Sequence, residues 1–110
     1  QFAKMAPTEM QRNQILEIRS DEIRHFNTFT QIYTSLSGKQ ATPHLVEQCP
    51  TEYNEGLHFA FKDEQKTSEF YLNIAERAND PYIKEQFKRA AADEQNHAVW
   101  FLYFITNRSV

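Results

Sequence analysis

Hydrophobic residues recur at steps of three and four along three stretches of the chain, a spacing that places them on one face of an α-helix. The first predicted helix spans residues 8–36, with Thr8 as its N-cap and Gly38 ending it in a left-handed conformation. Its predicted buried face consists of Ile15, Ile18, Phe26, Phe29, Ile32 and Leu36.

Two more helices are predicted after a connecting loop over residues 38–50. One spans 51–78 with Thr51 as its N-cap, and the other spans 80–107 with Asp80 as its N-cap. The predicted inward residues are Leu57, Phe61, Glu64, Ser68, Tyr71 and Ala75 in the former, and Phe87, Ala90, Ala91, Phe101 and Phe104 in the latter. No stretch alternates as a β-strand does, so the predicted fold class is all-α.

Length, charge, hydropathy and cysteine count argue against several classes of protein. The 110 residues suffice for one domain, 1–110, and the net charge of −3 includes no basic stripe, which argues against a nucleic-acid partner. No apolar run reaches the roughly 18 residues of a membrane helix. Cys49 is the single cysteine, so no intrachain disulfide can form, and we expect a cytoplasmic location.

An internal repeat relates the two ends of the chain. A shift of 72 residues aligns 1–34 with 73–106 and gives eight identities without a gap, where chance supplies roughly two. The identical pairs are Ala3/Ala75, Ala6/Ala78, Gln14/Gln86, Asp21/Asp93, Glu22/Glu94, His25/His97, Phe29/Phe101 and Thr34/Thr106. The pattern indicates a duplicated helical hairpin.

The repeat makes residues 1–6 the tail of an earlier helix, most of which would precede Gln1. We therefore expect an antiparallel four-helix bundle with most of its first helix missing from this chain. Without that helix an apolar groove would be exposed, which soluble monomers rarely tolerate. We expect a longer native chain or a partner chain to cover the groove, and we expect a homodimer.

Two Glu-x-x-His motifs, Glu22–His25 and Glu94–His97, occupy matching positions in the repeat. A spacing of three places both side chains on one helical face, here within an apolar stripe where an ionised carboxylate is costly unless it meets a cation. Bundles that bind two metal ions combine two such motifs with one Glu from each of two other helices. Carboxylate and imidazole donors suit iron or manganese and tolerate zinc.

Glu64 is the predicted carboxylate of the helix over 51–78. Residues 64 and 94 lie fifteen positions on either side of the turn near residue 79, so antiparallel helices bring them to the same depth. The repeat places the counterpart of Glu64 nine residues before Gln1, where we expect another Glu.

These residues, with Lys62–Gln65, Phe70-Tyr71, Asp80-Pro81 and Asp93–His97, resemble the rubrerythrin-like branch of the ferritin-like superfamily. The resemblance covers nearly all of residues 1–36 and 55–106. It implies Glu22, His25, Glu64, Glu94 and His97 as metal ligands, with Glu22 and Glu94 bridging two ions. The chain departs from the family in lacking the first-helix Glu and the cysteine-rich electron-donor domain of rubrerythrin proper.

Several residues keep alternative interpretations. Glu55 and His58 share the Glu-x-x-His spacing but fall outside the repeat, which favours a surface position. Asp21 and Asp93 are either plain surface charges or partners that orient a ligating imidazole of the adjacent helix. Tyr71 is either a core residue or a participant in electron transfer at the site. His44 and Cys49 receive no role.

The function implied by the resemblance is that of a di-iron carboxylate protein that reacts with peroxide or dioxygen, as a peroxidase or ferroxidase supplied by a separate electron donor. Manganese or zinc are alternatives to iron. Two other functions stay open: an iron-binding and storage subunit, and a metal-stabilised structural bundle without turnover. The sequence is therefore compatible with an enzyme, a di-iron oxidoreductase of the peroxidase or ferroxidase type, and also with a protein that catalyses no reaction.

Overall fold

The computed structural model describes residues 2–38 and 51–107. A 3₁₀ turn, Ala3–Met5, precedes three helices: α1 (Glu9–Ser37), α2 (Tyr53–Arg77) and α3 (Pro81–Thr106). No β-strand occurs in these two ranges. The predicted loop over 38–50 lies outside the described residues except for Gly38, and so do His44 and Cys49.

The N-caps of α1 and α3 are the predicted residues, and they occupy equivalent positions in the repeat. Thr8 accepts a hydrogen bond from the amide of Gln11 at 3.2 Å, and Asp80, its equivalent 72 residues later, accepts one from the amide of Ile83 at 3.1 Å. Gly38 ends α1 with φ of 70°, as predicted. Equivalent positions in the two halves therefore start their helices in the same way.

The start of α2 differs from the prediction. The N-cap is Glu52 rather than Thr51, and its side chain makes no capping hydrogen bond. The ring of Tyr53 stacks on Phe2 with centroids 5.1 Å apart, and its hydroxyl donates to Oε1 of Gln11 at 2.7 Å. These tertiary contacts place Tyr53 in the first helical turn, where local capping alone favoured an earlier start.

Helices α2 and α3 form an antiparallel hairpin, and α1 runs antiparallel to α3. Small side chains allow close approach of the hairpin helices, since Ala75, Ala90 and Ala91 are all buried. The hydrophobic core lies at the end of the bundle opposite the turn near Asp80. It comprises Ala3, Ala6, Ile15, Ile18, Leu57, Phe101 and Phe104.

The second half of α1 is less buried than its periodicity predicted. Ile15 and Ile18 are in the core, but Phe26 is 38% exposed and Leu36 is 72% exposed. This difference arises because, within residues 2–38 and 51–107, α1 packs mainly against α3 and the 3₁₀ turn. On the other side Phe26, Tyr33 and Tyr71 line an open groove between α1 and α2. None of the described helices carries an apolar stretch of the length needed to cross a lipid bilayer.

Candidate metal centre

The five predicted site residues come together from three helices. Glu22 and His25 lie on α1, Glu64 on α2, and Glu94 and His97 on α3. Four of them, Glu22, Glu64, Glu94 and His97, each offer a ligand atom within 4.8 Å of the others, and such a group could hold a metal ion. His25 lies outside that group of four, but its Nδ1 is 3.1 Å from Oε1 of Glu94.

Packing of the hairpin sets the depth of these side chains. Next to Glu64 on the same face of α2, Ser68 is buried and donates from its hydroxyl to the carbonyl oxygen of Ala91 at 3.0 Å. This bond ties α2 to α3 one turn before Glu94. Glu94 and His97 are each only 1% exposed, so their polar groups are removed from water as thoroughly as the core residues.

Three polar atoms at the centre of this group are buried and have no hydrogen-bond partner among residues 2–38 and 51–107: Oε1 of Glu22, Oε2 of Glu64 and Nδ1 of His97. Nδ1 of His97 is 3.2 Å from the Glu22 oxygen and 3.4 Å from the Glu64 oxygen, but neither contact has hydrogen-bond geometry. Buried polar groups are normally satisfied, and leaving one unsatisfied costs about 1–3 kcal/mol. Two carboxylate oxygens and an imidazole nitrogen that face one another in this way fit a bound cation.

The two aspartates of the repeat hold the two imidazoles from opposite helices. Nε2 of His97 on α3 is 2.8 Å from Oδ2 of Asp21 on α1, and Nε2 of His25 on α1 is 2.8 Å from Oδ2 of Asp93 on α3. Because an ionised carboxylate only accepts, each Nε2–H donates. Nδ1 of each ring then faces the glutamates. Of the two interpretations left open for these aspartates, the contacts favour the one in which they orient the imidazoles.

The crowding of carboxylates shifts their protonation. The pKa of Glu22 is raised to about 7, chiefly by burial and further by the nearby Glu94, whose own pKa is also raised by burial. Burial alone would lower the pKa of His97, but the facing carboxylates of Glu22, Glu64 and Asp21 outweigh it and raise it to about 11. Without metal, the folded site therefore retains protons that a metal ion would displace.

These shifts predict how the stability of the metal-free protein depends on pH. A pKa raised by folding contributes stability that is complete below the unfolded pKa and is lost as pH rises through the folded pKa. For Glu22 that window runs from 4.5 to about 7, and for His97 from 6.5 to about 11. We expect the urea concentration at the unfolding midpoint, followed by circular dichroism, to decrease as the pH is raised from about 6 to about 9. His97→Gln should flatten this dependence, and an equal slope in both proteins would contradict the assignment.

Tyr71 lies beside the site without joining the carboxylate group. Its ring centroid is 6.4 Å from that of His25, 5.0 Å from that of Phe29 and 5.7 Å from that of Phe87. Phe29 and Phe87 stack with centroids 4.2 Å apart. These rings pack around His25, which is 4% exposed, and they support a packing role for Tyr71.

The remaining Glu-x-x-His sequence takes no part in the centre, because Glu55 and His58 are both exposed on α2, as their position outside the repeat predicted. One residue beside the centre was missed by the sequence interpretation. Arg24 contacts both Asp21 and Asp93, at 3.1 and 3.0 Å. Its spacing of three from Asp21 is a signal of a helical ion pair, but the contact with α3 has no signature in the sequence.

Comparison with known proteins identifies the family of this chain. Residues 55–110 match the family model Rubrerythrin. The chain is 50% identical over 107 residues to "Uncharacterized protein YhjR" of Bacillus subtilis (strain 168), an alignment that covers 97% of this chain and 74% of that protein. No solved structure matches the chain. The family match spans half of the chain and contains Glu64, Glu94 and His97, so the chain belongs to the rubrerythrin family of ferritin-like proteins.

Proposed function

We propose that this protein binds two metal ions, most simply iron, between α1, α2 and α3 and that it is redox-active towards peroxide or dioxygen. The observation that carries the proposal is the set of three unpartnered buried atoms on Glu22, Glu64 and His97. The residues that would hold the ions are Glu22, His25, Glu64, Glu94 and His97. Manganese and zinc are the alternatives that the same donors accept.

Two iron ions held here would supply the two electrons that convert one peroxide and two protons into two waters, and a separate donor would return those electrons. The chain itself provides the ligands, the charge balance and the exclusion of bulk water. Asp21 and Asp93 keep both imidazoles directed inward.

A fourth helix is part of the proposal. The duplicated hairpin and the resemblance to four-helix bundles both predict a further helix antiparallel to α1. The groove lined by Phe26, Tyr33 and Tyr71 is an apolar surface that such a helix would cover. We propose that a preceding helix covers it and adds one carboxylate as the counterpart of Glu64. A homodimer is a further expectation, tested by the mass of the protein in solution.

Iron loading tests this function directly. We expect anaerobic titration with Fe(II) to saturate at two ions per chain in protein that includes the preceding helix. Addition of hydrogen peroxide should then oxidise both ions, and a reductant should sustain peroxide consumption over many cycles. Loading without any reaction with peroxide or dioxygen would reject the redox function while leaving metal binding intact.

The competing candidate is a structural bundle in which the polar cluster satisfies itself. The contact that favours it is the hydrogen bond between Nδ1 of His25 and Oε1 of Glu94, which needs no metal. The His97 side lacks such a bond. Equal thermal stability with and without Fe(II), Mn(II) or Zn(II) would favour this candidate, because a ligand bound only by the folded state raises stability.

A further inference from the structure

Arg24 breaks the symmetry of an otherwise duplicated centre. The shift of 72 that pairs Asp21 with Asp93 and His25 with His97 pairs Arg24 with Asn96, which carries no charge. A single guanidinium therefore stands where a symmetric site would have two or none. Its position on α1, between a glutamate and a histidine of the centre, places it on the turn that faces α3.

The guanidinium contacts the supporting carboxylates of both halves through one nitrogen. Nη2 of Arg24 donates to Oδ1 of Asp21 at 3.1 Å and to Oδ2 of Asp93 at 3.0 Å. The other oxygen of Asp21 accepts from His97, whereas Oδ2 of Asp93 accepts from Arg24 and His25 together. Each imidazole is therefore linked to Arg24 by hydrogen bonds through one aspartate.

From these contacts we infer that Arg24 is a positioning residue for both imidazoles. Arg24 joins the two Asp–His pairs into one hydrogen-bonded unit, and this unit sets the orientations of the two rings for metal binding. Only the predicted effect on metal affinity rests on the proposed function. Substitution of Arg24 should change folding stability little, because its side chain is 57% exposed and exposed ion pairs contribute little to folding.

The test compares Arg24→Gln with Arg24→Lys and with a matched control, Arg19→Gln, at an exposed arginine of the same helix. In metal-free protein, nuclear magnetic resonance measures solvent exchange of the imidazole Nε2 protons of His25 and His97. Cobalt(II) titration, followed by visible absorption, then measures affinity. Thermal unfolding verifies that each variant folds.

We expect Arg24→Gln to speed exchange at both histidines and to weaken cobalt affinity by about 10-fold, the lower end of the range for residues that support metal ligands. Arg24→Lys should recover part of both effects because an ammonium keeps the charge and can donate to both carboxylates, but lacks the planar guanidinium. Arg19→Gln should match the wild type.

Unchanged exchange in Arg24→Gln, or faster exchange at one histidine alone, would overturn the shared role. An effect in Arg24→Gln that Arg24→Lys does not relieve at all would also overturn it. If the wild type binds no cobalt, the proposed function fails, but proton exchange still decides the role of Arg24. The two failures are therefore distinguishable.

Discussion

The double variant Glu94→Gln/His97→Gln is expected to lose metal binding, with an affinity for cobalt(II) or Fe(II) reduced by more than about 100-fold. Both residues are 1% exposed, and both offer a ligand atom within 4.8 Å of those of Glu22 and Glu64. Removing a direct ligand should exceed the roughly 10- to 100-fold effect that is typical of residues supporting one. Equilibrium dialysis with metal analysis measures the loss.

The chain carries its own matched control for this experiment. Glu55→Gln/His58→Gln removes the same two residue types at the same spacing from an exposed part of α2. We expect that variant to bind metal as the wild type does. Circular dichroism should show equal helical content in both variants, since glutamine is a good helix former. Equal affinities in the two variants would rule out the proposed centre.

Phe104→Ala is expected to have the largest effect on folding, about 3–5 kcal/mol in the free energy of unfolding. Phe104 is fully buried, and it packs against Trp100 and Tyr103 with ring centroids 5.8 and 6.2 Å away. Truncation leaves a cavity in the core at the end of the bundle away from Asp80, where α1 meets α3 and the 3₁₀ turn. Urea unfolding measures the difference.

Phe59→Ala provides the comparison for Phe104→Ala, because Phe59 is 72% exposed on α2. We expect a change within about 0.5 kcal/mol, as for most surface substitutions. A large loss in Phe59→Ala would mean that this face is covered in solution, as the expected homodimer could do. A small loss in Phe104→Ala would contradict the assigned core.

The candidate site was largely predictable because its signals are local or repeated. Each Glu-x-x-His motif needs only one helical turn to bring its side chains together, and the 72-residue repeat separates Glu22–His25 and Glu94–His97 from the accidental pair at Glu55. Glu64 followed from equal distances about the turn near residue 79, since antiparallel helices of equal rise meet at equal depth. In the structure Oε2 of Glu64 lies 3.4 Å from Nδ1 of His97.

Other features had no local signal. The periodicity of α1 marked Phe26 and Leu36 as buried, because the pattern reports an apolar face and not whether a neighbour is present to cover it. The start of α2 moved from Thr51 because Tyr53 packs on residues more than 40 positions away in the sequence. Contacts of that kind depend on how helices sit against one another.

The sequence by itself therefore predicted the helices, their caps at Thr8 and Asp80, and the glutamates and histidines that the three helices bring together. Only the tertiary structure decided that Asp21 supports His97 while Asp93 supports His25, and that Arg24 joins the two pairs. The physical reason is one of range. Helix formation and motif spacing depend on contacts within a few residues, whereas pairing across α1 and α3 depends on the rotation and depth of two helices that the core and small side chains set together.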